Sequence, residues 1–524
     1  MDVASDRSAI VASSWSLDPV LGWTVVAALT VFVLLYRFST SGHDRWRTAN
    51  VPHDRPMPLF GNTFRMFTGL EYPVDFFDRV YKRFAGEKVC GLYQMTTPFL
   101  MVRDPELISR ITVRDFGHFT DHGLDTDPEI NVLASSLFFL NGHRWKNMRQ
   151  KLSPGFTTGR LKDAHDRIVE CVNRLTVTID QQMSASGGEG IELKKLSAEF
   201  STNVIATCAF GLQLDDTSEF RKYSDKLSEL SLQQQLSQML IMLCPKLVKF
   251  FKLKQFPEDT TQFYRAVFTD LIRYRHENNV VGNDVAQTLM QARKELVLDV
   301  SDSTEKAKFT EMDIISNAIL LFVAGSETVS VTICFLLYEL ALNKDVQDKV
   351  REEIIKVIKK NGGQLSYNCF TDLHYLNMVL EEVSRLYSIT LSLFREVTED
   401  YKVPGSSLVI RKGQKIIIPT YSIHHDPKYY PDPFKFDPER FSEEEKSKRP
   451  NGTYLPFGDG PRLCLGKRLA ELEMKLVLSI ILQKFEVMPC EKTEIPLQVK
   501  AMAGLFSPKN GLWLCFKPIV VYND

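Results

Sequence analysis

The sequence has little that would staple it covalently or charge it in one direction. Its nine cysteines stand at 90, 171, 208, 244, 334, 369, 464, 490 and 515, an odd number with no two within ten residues. The absence of any C-x-x-C excludes a zinc ribbon and a thioredoxin-type site. A chain of 524 residues can bury a core without disulfides, and the scatter fits a reducing compartment. Charge is balanced, with 64 Lys and Arg against 65 Asp and Glu, a net of -1. That removes any whole-molecule case for a nucleic-acid partner and leaves only local basic patches. There is no G-x-G-x-x-G dinucleotide fingerprint and no internal repeat. A composition 44% apolar and 25% charged excludes a disordered, collagen-like or polytopic membrane chain. At about 150 residues per domain, the length allows several domains or one large one.

One long hydrophobic run is present. Residues 20–36, VLGWTVVAALTVFVLLY, carry no charge and stop at Arg37. At 1.5 Å rise they reach about 26 Å, the short end for a membrane-crossing helix. Trp15, Trp23 and Tyr36 suit the two interfaces. The alternatives are a buried core helix and a cleaved signal peptide. A signal peptide wants a shorter apolar region and a small-residue cleavage site. Arg37, Arg45 and Arg47 follow the run, whereas Asp2, Asp6, Arg7 and Asp18 precede it. The positive-inside rule then puts the C-terminal bulk in the cytoplasm, where the Asn451-Gly452-Thr453 sequon would escape glycosylation. Pro52, Pro56 and Pro58 stiffen the stretch that follows. The expected organisation is a luminal tail and transmembrane anchor at 1–37, a linker and Pro-rich hinge at 38–62, and one main domain at 63–524.

Beyond the hinge the pattern predicts long helices with small sheets. Residues 87–103 read as two strands around a turn, and a second hairpin is expected over Leu408 to Pro419, turning at Arg411 to Gln414. Asn510-Gly511 between apolar runs predicts a third hairpin. The longest helix begins at Thr310, where Thr310-x-x-Asp313 fits a capping box, and runs to Leu342. Residues 442–449 are a solvated charge run. Residues 239–251, MLIMLCPKLVKFF, read either as core or as a loop dipping into a bilayer beside the anchor.

The sharpest signal is Phe457-Gly458-Asp459-Gly460-Pro461-Arg462-Leu463-Cys464-Leu465-Gly466, with a helical stretch from Lys467. Glycines at 458, 460 and 466 permit tight turns and close approach to a flat ligand. A Cys just before a helix N-terminus feels the positive end of the dipole, which favours thiolate. Arg462 adds a nearby cation. A thiolate held this way is a soft ligand suited to haem iron. The plain alternative is a small buried hydrophobe.

This motif, F-x-x-G-x-R-x-C-x-G, resembles that of the cytochrome P450 family. Glu382-Val383-Ser384-Arg385 looks like the family's E-x-x-R, and Phe436 to Phe441 like its P-E-R-F segment. The resemblance implies a Glu382–Arg385–Arg440 structural triad behind the haem loop. Ala324-Gly325-Ser326-Glu327-Thr328 resembles the oxygen-activation motif of the central helix, with Glu327 and Thr328 delivering protons and Gly325 leaving room beside the haem. Trp145-x-x-x-Arg149 looks like the haem-propionate pair, and Arg395 stands where another propionate-binding Arg is usual. Phe457, Arg462 and Cys464 complete the cofactor-binding set, Cys464 as the metal ligand. The resemblance covers nearly the whole chain and is greatest to the insect microsomal, detoxification-associated branch. Two positions depart from it. Val329 stands where that branch has Thr or Ser, removing one hydroxyl of the relay. Ser388 stands where Pro is usual, which would change a loop facing the substrate.

The fold so implied is mainly α with small β-sheets, P450-like, behind an N-terminal transmembrane helix. The function implied is that of a haem-thiolate monooxygenase in the endoplasmic reticulum membrane, single-pass, catalytic domain cytoplasmic. It would carry haem b and insert one atom of O₂ into a lipophilic small molecule. Electrons would come from NADPH–cytochrome P450 reductase, with cytochrome b5 as a further partner. Arg144, Lys146, Lys151, Lys467, Arg468 and Lys475 are the expected basic docking face. The resemblance places the loop at 116–140, the stretch near 210–245, the helix at 317–328, the segment 388–394 and the turn at Leu505-Phe506 around the substrate, with Phe116, Phe119, Phe138, Phe139 and Phe322 as expected pocket residues. A haem-thiolate isomerase or dehydratase and a non-catalytic haem-binding protein are the rival classes.

Overall fold

The computed structural model describes residues 19–124, 126–128, 131–214, 219, 222, 223, 226, 240, 245–254, 256–298, 310–502 and 505–519. Seven helices position the site: α1 (Pro19–Thr40), α2 (Gly142–Leu152), α3 (Thr158–Ala185), α4 (Leu193–Phe210), α5 (Glu311–Leu342), α6 (His374–Leu386) and α7 (Lys467–Lys484). Eleven short strands are described: β1 (Val89–Gln94), β2 (Thr97–Val102), β3 (Ile191–Glu192), β4 (Leu393–Glu396), β5 (Tyr401–Lys402), β6 (Val409–Ile410), β7 (Lys415–Ile418), β8 (Phe485–Pro489), β9 (Val499–Met502), β10 (Leu505–Pro508) and β11 (Trp513–Pro518).

α5 is the axis of the helical core. Thr310 caps it as its sequence predicts: the hydroxyl accepts from the Asp313 amide, and the Asp313 carboxylate accepts from the Thr310 amide. From Val329 to Ala341 every residue of α5 is buried, packed on α4, α6 and α7. A helix apolar all round can be stable only inside a protein or in lipid. α1 is the opposite case: none of its apolar window is buried, whereas 56% of that of α5 is. The helix of α1 continues past Arg37 to Thr40.

The second core lies under a four-stranded sheet ordered β1-β2-β7-β4. β1 and β2 form the expected hairpin, with Cys90 opposite Met101. The other two expected hairpins are not hairpins. β6 pairs with β5, while β7 runs parallel to β2 and antiparallel to β4, so Arg411–Gln414 carries the chain between sheets. Ile416, Ile417 and Ile418 are fully buried, and only a central strand buries both faces. Asn510-Gly511 likewise separates β10, which pairs with β9, from β11, which pairs with β8 and β3.

The Pro-rich stretch packs against this sheet rather than hanging free. His53 bridges Gly91, and Gly61 bridges Gln94. Just before it, Trp46 is buried over Gly91, and its indole donates to the Leu92 carbonyl at 3.2 Å. The 442–449 run includes a short exposed helix, Glu443–Lys448. Of the apolar stretch 239–251, residues 239 and 241–244 lie outside the described residues. Pro245–Phe251 is helical, with Phe250 and Phe251 exposed.

Candidate active site around Cys464

The Cys loop leaves a 3-10 turn at Gly460–Arg462 and enters α7 through Gly466. Gly458 and Gly460 adopt positive φ, and a Cβ on Gly460 would lie 1.8 Å from the Thr112 carbonyl oxygen. No other residue fits there. Gly466 has an ordinary φ of -85°. The Cys464 amide donates to the Phe457 carbonyl at 2.9 Å, closing the loop, and the Lys467 ammonium lies over the Phe457 ring at 5.8 Å.

The Cys464 thiol is accessible, yet the protein around it pushes its pKa up. Opposing this are the backbone amides of Gly466 and Lys467, which reach the sulfur, and the charges of Arg149 and Lys467. The amides are the unpaired N–H groups of a helix start, aimed at the atom that carries negative charge. The expected cation, Arg462, is not among these influences. Its guanidinium turns away, donating to the carbonyls of Thr120, Leu137 and Leu140 and lying 4.2 Å from the Trp145 ring centre. Trp145 is buried and tilts against Phe116. It braces Arg462, while Arg149, one turn on, is the cation that faces Cys464.

Arg395, on β4, is almost wholly buried, and its Nε has no hydrogen-bond partner. Its Nη1 donates to the Phe394 carbonyl. Burial pulls Arg395 down to about 10 and Arg462 down to about 9, and lowers Arg149. Arg395 and Arg149 also repel Arg462. His122 is held well below its usual value, first by burial and then by Arg462 and Arg395. None of the three arginines makes an ion pair with a carboxylate among the described residues. Arg395 is buried and Arg149 and Arg462 are half-buried, with only the longer-range pull of Asp459 on Arg395 and of Asp121 on Arg462 to offset their charge, and cations so placed suit an anionic ligand. A sulfur met by helix-start amides and set beside a group of arginines fits an iron porphyrin bearing carboxylates.

The residue pattern of the chain agrees. A family model described as Cytochrome P450 matches residues 51–516. The chain belongs to the cytochrome P450 family. It is 37% identical to the probable cytochrome P450 6a13 of Drosophila melanogaster, over 94% of this chain and 98% of that one. To cytochrome P450 6a2 of the same organism it is 35% identical, over 94% and 99%. To cytochrome P450 6k1 of Blattella germanica it is 34% identical, over 94% and 96%. These relatives bear out the likeness to insect P450s, and with it a haem-iron monooxygenase.

As in the P450 pattern, Glu382, Arg385 and Arg440 come together. Glu382 and Arg385 are fully buried and doubly bonded, Nε to Oε2 at 2.6 Å and Nη2 to Oε1 at 2.8 Å. Arg385 Nη1 donates to the carbonyls of His424 and Pro433. The Asp437 amide donates to Glu382 Oε1, and Arg440 Nε lies 3.4 Å from the same oxygen, outside hydrogen-bond geometry. Burial pushes the Glu382 carboxyl up, and Arg385 opposes it.

On α5 the segment Ala324 to Thr328, expected from the resemblance to serve oxygen activation, stays regularly helical. Gly325 faces α4. A Cβ there would lie 2.4 Å from Ile205 Cδ1 of α4, so glycine permits the close approach of two helices. The Thr328 hydroxyl donates back to the Ala324 carbonyl at 2.6 Å. Glu327 comes within 3.8 Å of Lys194 on α4, a residue with no motif to mark it. Val329 is buried in the helical core. Ser388 follows α6. It is buried against His424, at 2.6 Å.

Of the expected substrate aromatics, Phe119 belongs to the sheet core, edge-on to Tyr401. Phe322 packs on Tyr264 and Phe506 on Tyr421, while Phe138 is exposed beside Phe139. Most of the stretch 215–244 lies outside the described residues.

Proposed function

We propose that this P450 is anchored in the endoplasmic reticulum membrane by α1 and oxidises lipophilic small molecules with O₂. Its electrons come from NADPH through NADPH–cytochrome P450 reductase, with cytochrome b5 as an accessory donor. The observation that carries the reading is the Cys464 sulfur, met by two helix-start amides beside Arg149, with Arg462 and the buried Arg395, whose Nε has no partner, nearby. Those residues suit haem b: Cys464 would hold the iron, and Arg149, Arg395 and Arg462 would match its two carboxylates. Bound there, haem supplies the O₂ activation that side chains cannot. Trp145 and Phe457 hold the surrounding shape. Glu327 and Thr328 lie on one turn of α5 and carry protons inward from Lys194 and the solvent edge.

Two surfaces fit the partners. Lys146 and Arg468 are exposed for an acidic reductase, while Arg144 leans on buried Asp313 and Lys475 is half-buried. Phe250 and Phe251, flanked by Lys249 and Lys252, suit a second contact with lipid.

The test is reconstitution of the full chain with haem, reductase and NADPH on a panel of apolar compounds. The reduced carbonyl complex should show a red-shifted Soret band that Cys464→Ala abolishes. Product should carry one atom of labelled O₂. Charge reversal at Lys146 and Arg468 should slow haem reduction, less so as salt rises. Product formed without NADPH and O₂ would favour an isomerase or dehydratase instead.

A further inference from the structure

His424 lies just past β7 and is wholly buried, as is Ser388, two residues beyond the end of α6. His424 Nε2 is 2.9 Å from the Leu455 amide. A backbone N–H can only donate, so Nε2 accepts and the neutral ring carries its proton on Nδ1. Nδ1 is 2.6 Å from Ser388 Oγ, which therefore accepts from it. The Ser388 hydroxyl is left to donate to the Arg385 carbonyl, 3.0 Å away. Each proton in this chain has an acceptor, and the Arg385 carbonyl that receives the Ser388 hydroxyl also lies close enough to the His424 ring to favour its protonated form. The ring is nonetheless held neutral by its surroundings: burial, His425 and the Arg385 charge all keep its pKa well below the usual value.

The relay leads directly to the sulfur loop. The Leu455 carbonyl accepts from the Gly458 amide at 3.0 Å, and the Phe457 carbonyl accepts from the Cys464 amide at 2.9 Å. The other end is equally fixed, because Arg385 donates to the His424 carbonyl at 2.8 Å while bonded to Glu382. Residues 455–458 thus hang between the buried ion pair of α6 and Cys464.

We propose that Ser388 and His424 are positioning residues for the thiolate loop: the Leu455 amide sets the His424 tautomer, Ser388 accepts the Nδ1 proton and so holds the ring in place, and His424 holds the Leu455 amide so that the loop presents Cys464 to the helix-start amides of α7. This rests on the haem-thiolate reading only for its spectroscopic readout. A proline at 388 could accept nothing from Nδ1, so the device belongs to the serine of this chain. Loss of the acceptor leaves a buried N–H unpaired and loosens the ring, and the loop relaxes with it.

The test uses the full-length holoprotein. Ser388→Ala should speed hydrogen exchange at the Leu455 amide about tenfold, the size of one lost hydrogen bond, with the α6 peptides unchanged. It should also raise severalfold the share of the reduced carbonyl complex in the thiol-ligated, blue-shifted form at fixed pH. Ser388→Thr, which keeps the hydroxyl, should restore both. If Ser388→Ala does not fold, His424→Gln decides. Its carboxamide oxygen can receive the Leu455 amide without Ser388, so it should tolerate Ser388→Ala with no further loss. Wild-type exchange and spectrum in Ser388→Ala, or a double variant that fails like the single one, would overturn the proposal. If the wild type lacks the red-shifted band, the haem-thiolate reading fails by itself, and the exchange measurement still judges the relay.

Discussion

Lys194 Nζ, in the first turn of α4, lies 3.8 Å from Glu327 Oε1 on α5. Both side chains are about one-fifth exposed, at 23% and 20%. The acid of the acid–alcohol pair is therefore tied toward the neighbouring helix, and the adjacent Thr328 hydroxyl is turned onto the Ala324 carbonyl.

That arrangement separates two roles by mutation. Glu327→Gln should cut product formation about 10²-fold, the low end for a general acid–base group. Thr328→Ala should cut it less, because water replaces a hydroxyl, and should divert oxygen to peroxide while NADPH consumption continues. Lys194→Ala removes a partly exposed ion pair and should cost at most about 1 kcal/mol of stability. Measuring NADPH consumed, peroxide released and product formed in one reaction checks the first two, and a denaturant midpoint checks the third. Unchanged coupling in Thr328→Ala would mean that protons travel by another route.

Arg385→Ala strips a fully buried carboxylate of its partner and orphans the carbonyls of His424 and Pro433. The expected loss is about 3–5 kcal/mol, seen as a lowered denaturant midpoint and poor haem retention. Arg385→Lys should not rescue it, since an ammonium cannot bond both Glu382 oxygens and both carbonyls.

Acid should destabilise the protein through buried histidines. Burial drives His425 down to about 3 and His424 well below its ordinary value. Folded, both stay neutral; unfolded, each takes up a proton below about pH 6.5. The unfolded state then binds more protons, so stability is full above that pH and falls as pH drops. The slope is up to about 1.4 kcal/mol per pH unit for each histidine. Denaturant midpoints between pH 7 and 5 should fall accordingly, and His425→Gln should flatten the slope.

Deleting residues 1–40 removes α1 and should leave a folded protein still partly membrane-bound through the Phe250 and Phe251 surface. Deleting through residue 50 also takes Trp46 out of its seat on Gly91 and should cost about 3–5 kcal/mol more. Sedimentation with vesicles and thermal unfolding distinguish the two effects. Full solubility of the shorter deletion without detergent would dismiss the second membrane contact.

What the sequence determined alone was whatever is local along the chain. The Thr310 cap, the 89–102 hairpin, the uncharged run of α1 and the ten-residue Cys loop are each set by spacing and by the φ freedom of a few glycines. Their partners lie within a turn or a loop, so the pattern is complete in one dimension. Tertiary structure decided what depends on residues far apart. α1 and α5 are alike as apolar runs, and only packing shows that one is bare and the other is the axis of the core. β7 takes distant strands because burying both its faces outweighs the nearest turn, and β11, with only alternate residues buried, is held between β8 and β3. Gly325 exists for Ile205, Arg462 for Trp145, and Ser388 for His424. Each of these is a pairing of a buried group with a partner that satisfies it, and burial is a property of the folded shape, which no window of sequence contains.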